Sequence, residues 1–154
     1  MKIVKGLFII MLAFMFCGCE NGEKGEKVKT IKEGNGDLII ESLVGPSYGT
    51  VDEIENKYII NVYNDKTIEY GYKSEEKTKK TLDEEVYKEL IDEVCSSKFA
   101  NLDKDVSNHN VMDGESSKII VHYDDEVKEI LGSHSSNKEY NKVRKMLDDI
   151  VGKK

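Results

Sequence analysis

Thiols are scarce in this chain, and unevenly placed. The three cysteines stand at positions 17, 19 and 95, so everything from residue 37 onward contains Cys95 alone. That excludes a disulfide framework within this stretch. Cys95 follows Val94 on an apolar helical stripe, and nothing beside it in sequence would depress its pKa, so an inert buried thiol is expected. Histidines are also few: His109, His122 and His134 are scattered, with no two at helical i, i+4 spacing. A zinc site needs three or four converging ligands, and none is expected here, nor is any other cofactor. The apolar run Leu7–Phe16 stops at ten residues, half of the roughly 20 that a permanent membrane span requires. Positive charge is in deficit too, with 23 Lys+Arg against 30 Asp+Glu and a net charge of −7. Without residues 1–18, which carry Lys2 and Lys5, the balance becomes −9. Affinity for nucleic acid comes mainly from neutralising phosphates, so no nucleic-acid partner is expected. Electrostatic adhesion to anionic lipid is disfavoured for the same reason.

What the N-terminus does have is organised in three zones. Met1 to Lys5 is positive, Leu7–Phe16 has the length of a signal-peptide apolar region, and Phe16-Cys17-Gly18-Cys19 follows. This end resembles the lipobox of bacterial lipoprotein precursors, in which a small residue immediately precedes an invariant cysteine. Gly18 and Cys19 fit; Phe16 stands where that family usually has an aliphatic residue. The resemblance implies that residues 1–18 are a signal peptide, cleaved between Gly18 and Cys19. It also implies that the Cys19 thiol carries a diacylglyceryl group. Cys17 is the poorer candidate, because bulky Phe16 would occupy its cleavage position. Two or more acyl chains of the palmitate kind anchor stably where one is marginal. The expected location is the outer, extracytoplasmic face of the cell membrane, reached through the lipid anchor. The alternative is an ordinary secretory signal that leaves Cys19 as a free N-terminal residue.

Residues 20–36 hold four glycines, no aromatic and only two aliphatics. Such a composition buries too little apolar surface to offset ordering entropy, so residues 19–36 read as lipidated Cys19 and a flexible tether. Residues 37–154 read as the folded domain. Leu38–Val44 is a strand, expected at an edge. Tyr58–Tyr63 and Thr67–Tyr72 form a hairpin around Asn64-Asp65-Lys66. In the second strand Ile68, Tyr70 and Tyr72 alternate onto one face. Lys73–Lys80 mixes both charge signs and reads as a solvated connection. Thr81-Leu82-Asp83-Glu84 has capping-box spacing, with Thr81 as N-cap, ahead of a stripe made by Val86/Tyr87, Leu90/Ile91 and Val94/Cys95. The same grammar then repeats. Lys118–Tyr123 and Val127–Leu131 flank Asp124-Asp125-Glu126, and Ser136 to Glu139 opens a second helix through Val151. Tyr63-Asn64-Asp65 and Tyr123-Asp124-Asp125 occupy equivalent places in the two halves. The expected fold is α+β: an antiparallel sheet of four to five strands with two helices on one face, in the order strand, hairpin, helix, hairpin, helix.

That order resembles small lipoprotein domains of unknown function found across bacteria. Those have a strand, a Gly-containing loop, a hairpin with a tyrosine-flanked turn, a helix, and a second hairpin introduced by an Asp. Val44-Gly45 to Gly49, Tyr63 to Tyr70 and Asp113 to Tyr123 fit the outline, over about residues 37–151. The resemblance implies no catalytic residues.

Candidate chemistry is thin. Gly45-Pro46-Ser47-Tyr48-Gly49 matches the G-x-S-x-G elbow of α/β-hydrolases, but the elbow needs a strand feeding a helix on a parallel sheet. Here Ser47 leads toward another strand, and no second Gly-rich oxyanion segment is present. Asp103-x-Asp105-x-Ser107 imitates a calcium loop, with Asn108 where the turn glycine belongs and Gly114 where the bidentate Glu belongs. Tyrosine offers a rigid ring with a polar tip, and Tyr48, Tyr63 and Tyr123 are the candidate binding surface. The leading expectation is a non-catalytic binding module for an envelope or extracellular protein or peptide. Contact surfaces would be the exposed sheet face and the loops at Gly45–Gly49 and Asn108–Ser116. A small hydrolase using Ser47, and a structural or immunity-type envelope lipoprotein, stay open as alternatives.

Overall fold

The computed structural model describes residues 26–32, 34–46, 56–111 and 114–153. The readings at Gly18, Cys19, Ser47 and Tyr48 lie outside the described residues. In chain order the elements are β1 (Leu38–Pro46), β2 (Tyr58–Tyr63), β3 (Thr67–Tyr72), β4 (Thr78–Thr81), α1 (Glu84–Val94), α2 (Ser97–Ala100), β5 (Glu115–His122), β6 (Val127–Leu131) and α3 (Lys138–Val151). The strands form one open antiparallel sheet in the order β4-β3-β2-β1-β5-β6. The protein is α+β. Among the described residues it has six strands and three helices, where four to five strands and two helices were expected.

The largest correction concerns β1, which lies at the centre of the sheet and not at its edge. It pairs with β2 on one side and β5 on the other. Neighbours at both edges bring side chains alongside β1 on both faces, so its residues lose solvent where those of an edge strand would keep it. Ile39, Ile40, Leu43 and Val44 are accordingly all buried. The extra strand is Thr78–Thr81, within and just beyond the supposed solvated connection. All four of its residues are exposed, so it has no apolar alternation to betray it. Short, lysine-bearing strands of this kind protect a sheet edge from further pairing.

Register places Ile40, Val62, Ile68, Ile119, Val121 and Ile130 on one face of the sheet. These side chains share a single core with Leu90 and Val94 of α1, Phe99 of α2, and Tyr140, Val143 and Leu147 of α3. Truncating a fully buried aliphatic such as Leu90 or Leu147 to Ala costs about 2–5 kcal/mol.

The two long helices cross the strands in opposite directions. α1 starts beside the β2–β3 turn, where Lys66 pairs with Glu84, and ends where the Tyr123 hydroxyl donates to the Val94 carbonyl at 2.6 Å. α3 starts over Ser117, whose Oγ accepts from the Tyr140 hydroxyl at 3.0 Å, and ends where Lys80 Nζ donates to the Ile150 carbonyl at 2.6 Å. The Tyr140 ring lies so close to Gly132 that an added Cβ would stand 2.0 Å from it, so only glycine fits there. Lys142 of α3 pairs with Glu93 of α1 at 2.5 Å.

Both helix caps sit later than the capping-box spacing suggests. Thr81 is spent as the last residue of β4, paired with Thr67, and Asp83 is the N-cap of α1. Asn137, not Ser136, caps α3, and its side chain accepts from the amides of Glu139 and Tyr140. An Asn reaching two amides satisfies orphan donors as well as a serine would.

The flexible-tether reading also needs correction over its described part. Residues 26–32 lie against the domain, with Lys27 in an antiparallel bridge to Ser96 and Ile31 packed on the core. Composition misses this because the partners are backbone atoms and carboxylates elsewhere in the fold.

Candidate functional site

The helices cover one face of the sheet, and the side chains able to meet a partner lie on the other. Across this outer face the register aligns Lys79, Glu69, Asn61, Glu41, Ile120 and Glu129, one from each strand. Three carboxylates therefore share a single row. A neighbouring row runs Gly71, Ile59, Leu43, Lys118 and Leu131. Leu43 and Ile59 form a small buried cluster separate from the main core. Val127 and Leu131 of β6 are exposed apolar side chains at the margin of this face.

Glu69 organises one half of the acidic row. Its Oε1 takes Lys79 Nζ at 3.0 Å and its Oε2 accepts from the Tyr63 hydroxyl at 2.9 Å. The lysine, then the tyrosine hydroxyl, hold the Glu69 carboxyl below its usual pKa. Burial, then the carboxylate acceptor, push the Tyr63 phenol up. In the other half Lys118 Nζ lies 3.3 Å from Glu129. The Lys79–Glu69 pair is largely exposed and contributes about 0–1 kcal/mol, whereas Lys118 is itself buried. Between these halves the Asn61 Oδ1 is buried and accepts no hydrogen bond among the described residues. Leaving a buried acceptor unmet costs about 1–3 kcal/mol.

Of the candidate surface tyrosines, Tyr63 is half-buried on this outer face. Tyr123 must be reassigned. It points into the helix-covered core, is only 6% exposed, and its phenol is pushed up by burial. It is a packing residue tied to the end of α1, so the two tyrosines do not form one surface. Tyr48 lies outside the described residues. A different tyrosine group missed in the sequence sits near the C-terminal end of α3. There Tyr58 and Tyr72 meet edge to face at 5.3 Å, Lys153 lies 4.8 Å over Tyr58, and Lys80 lies 5.6 Å over Tyr70. The spacing Tyr70, Tyr72 hinted at one shared face, but Tyr58 joins them only through the pairing of β2 with β3.

The remaining polar candidates are engaged locally. Asp105 Oδ1 accepts from the Ser107 amide at 2.9 Å, and Asn108 Oδ1 accepts from the Asn110 amide at 3.1 Å, two turns typical of a solvated loop. His109 Nε2 lies 3.2 Å from Asp105. His134 Nε2 accepts from the Glu115 amide at 3.2 Å, and His122 stands on the outer face of β5. Among the described residues no group of three or more His, Cys, Asp or Glu converges as metal ligands would. Cys95 is 2% exposed, and burial pushes its thiol up to about 11, which leaves it a negligible thiolate fraction at neutral pH. No protein-family model and no curated protein matches the chain.

Proposed function

We propose that this chain is an extracytoplasmic lipoprotein, held at the outer face of the cell membrane by lipid on Cys19, and that its α+β domain is a non-catalytic binding module. The partner is an envelope or extracellular protein or peptide. The observation that carries the reading is Gly18-Cys19 standing where the ten-residue apolar run ends. The binding role is supported by the two-faced sheet: one face carries the core, and the other carries the row Glu69, Asn61, Glu41, Ile120, Glu129 beside exposed Val127 and Leu131. A row of carboxylates next to apolar side chains suits a basic, amphipathic partner segment, because complementary charge steers encounter and apolar contact holds it.

Cross-linking and pull-down from intact cells test the module, comparing the wild type with Glu41→Lys and Ile120→Glu. Loss of the captured partner in both variants, with an unchanged circular dichroism spectrum, is expected. Capture that survives both substitutions would move binding off this face. The anchor is tested separately by the mass of the native N-terminal peptide and by fractionation of Cys19→Ala. An unmodified Cys19 thiol on freely diffusing protein would overturn it.

A further inference from the structure

The described residues that precede β1 are fastened to the domain from Glu26 to Thr30 and again from Asn35 to Asp37. The Glu26 carbonyl accepts from the Ser97 amide at 2.7 Å, and the Val28 and Lys29 amides both donate to the Cys95 carbonyl at 3.0 and 3.3 Å. The Thr30 carbonyl accepts from the Asp124 amide at 3.0 Å. Side chains follow the same path. Lys27 pairs with Asp92 at 2.5 Å, Lys29 reaches Asp125 at 2.6 Å and Glu126 at 2.9 Å, and the Thr30 hydroxyl donates to Asp124 at 2.8 Å. Further on, Asn64 Oδ1 accepts from the amides of Asn35, Gly36 and Asp37 at 3.0, 2.8 and 2.9 Å. Every one of these holds lies at the same end of the sheet, with the β2–β3 and β5–β6 turns and the α1–α2 junction.

We infer that residues 26–32 are a strap that shortens the membrane leash and fixes which end of the domain faces the bilayer; this rests on the Cys19 anchor proposed above. Only residues 19–25 separate the anchor from the first docked residue, a chain that spans at most about 25 Å. With the strap released, the leash extends to residue 36 and reaches about 60 Å. Strand β1, nine residues long, measures about 30 Å. The short leash is thus no longer than the sheet is deep, so the domain cannot turn over. The end holding Pro46 and Tyr58 is carried outward, and the Cys95–Ser97 junction is kept toward the membrane. The long leash exceeds that depth and allows both orientations. The lysines have a second effect. Lys27 and Lys29 offset Asp92, Asp125 and Glu126 at the membrane-facing end, where bare carboxylates would be repelled by anionic lipid. Because the strap's ion pairs are partly exposed, salt screens them, and the strap opens more readily as ionic strength rises.

The test uses full-length lipidated protein in phosphatidylcholine vesicles. Hydrogen exchange reads the Val28 and Lys29 amides, and energy transfer is measured from a dye at Glu75→Cys, beyond the far end of β3, to a headgroup dye. The wild type is expected to protect both amides and to show low transfer. Lys27→Glu with Lys29→Glu is expected to lose the protection and raise transfer several-fold, and adding Asp92→Lys and Asp125→Lys to restore both. Wild-type amides that exchange like a free peptide would overturn the strap. Amide protection present in the wild type and lost in the charge-reversed variant, with transfer unchanged, would overturn the leash while the anchor stands. An N-terminal peptide without lipid would instead overturn the anchor, a failure visible in the mass alone.

Discussion

The two hairpin–helix halves are written in the same grammar and packed in opposite ways. Tyr63-Asn64-Asp65 and Tyr123-Asp124-Asp125 open their turns with the same Tyr and the same third residue, and differ only as Asn64 against Asp124. In the first half β2 runs through Tyr63 and three residues lead to β3, with Lys66 in the left-handed conformation at φ 68°. In the second, β5 ends at His122 and four residues lead to β6, closed by the Tyr123 amide donating to the Glu126 carbonyl at 2.8 Å. Side chains on a strand alternate faces, so a single step in phase sends equivalent residues to opposite sides. Tyr63 stands on the outer face beside Glu69, while Tyr123 is buried beneath α1. Both turns serve one further purpose. Asn64 gathers the amides of residues 35–37, and Asp124 to Glu126 grip residues 29 and 30.

This contrast can be broken by experiment. Tyr123→Ala should cost about 3–5 kcal/mol, since it empties a core position and leaves the Val94 carbonyl without its donor. Tyr63→Ala should cost no more than about 1 kcal/mol. Urea unfolding of the two variants measures both, and equal losses would mean that the halves are packed alike. Next in size, Asn64→Ala should cost about 1–3 kcal/mol, because a buried side chain serving three amides is removed. Asp124→Ala, which removes one exposed bond from Thr30, should fall below about 1 kcal/mol. Thermal unfolding in the same buffer ranks them, and the opposite order would make the second turn the main grip on the strap.

The smallest effect separates the two turn aspartates. Both carboxyls are held below the usual range, Asp65 by the Thr67 amide and Asp125 by Lys29. A depressed carboxyl stabilises the fold fully above its unfolded value of about 4 and loses that contribution as pH falls through the lower folded value. Acid should therefore weaken both turns, while changes between pH 5 and 7 leave these two contributions intact. Salt should distinguish them. Raising sodium chloride should move the Asp125 titration, followed by NMR, back toward the ordinary carboxylate value, because its partner is an exposed charge. Asp65 should stay where it is, its partner being a neutral amide. A parallel drift of the two would remove the assignment of Lys29 to Asp125.

Much of the fold was legible because alternation and helical stripes report burial directly. The β2–β3 and β5–β6 hairpins and the face of α3 are found where those patterns place them, and so is the face of α1 from Tyr87 onward, whereas Val86 is exposed. What escaped lacked such a signature. Thr78–Thr81 has no apolar face, and α2 is a single turn whose cap, Ser96, accepts from the Phe99 amide. The candidate site was legible only as the sheet face turned away from the helices. The row Lys79, Glu69, Asn61, Glu41, Ile120, Glu129 draws one residue from each of six strands, and nothing local in the chain aligns them.

By itself the sequence determined which side chains could share a face, the acidic balance, the isolation of Cys95, and the lipobox-like pattern at Gly18-Cys19. These depend on composition or on spacing within one element. Tertiary structure alone decided that β1 lies at the centre, that Tyr123 is buried and Tyr63 is not, and that residues 26–32 lie along the domain. Each of those is a pairing between segments distant in the chain, and its free energy comes from backbone bonds and burial that exist only once the partners have met.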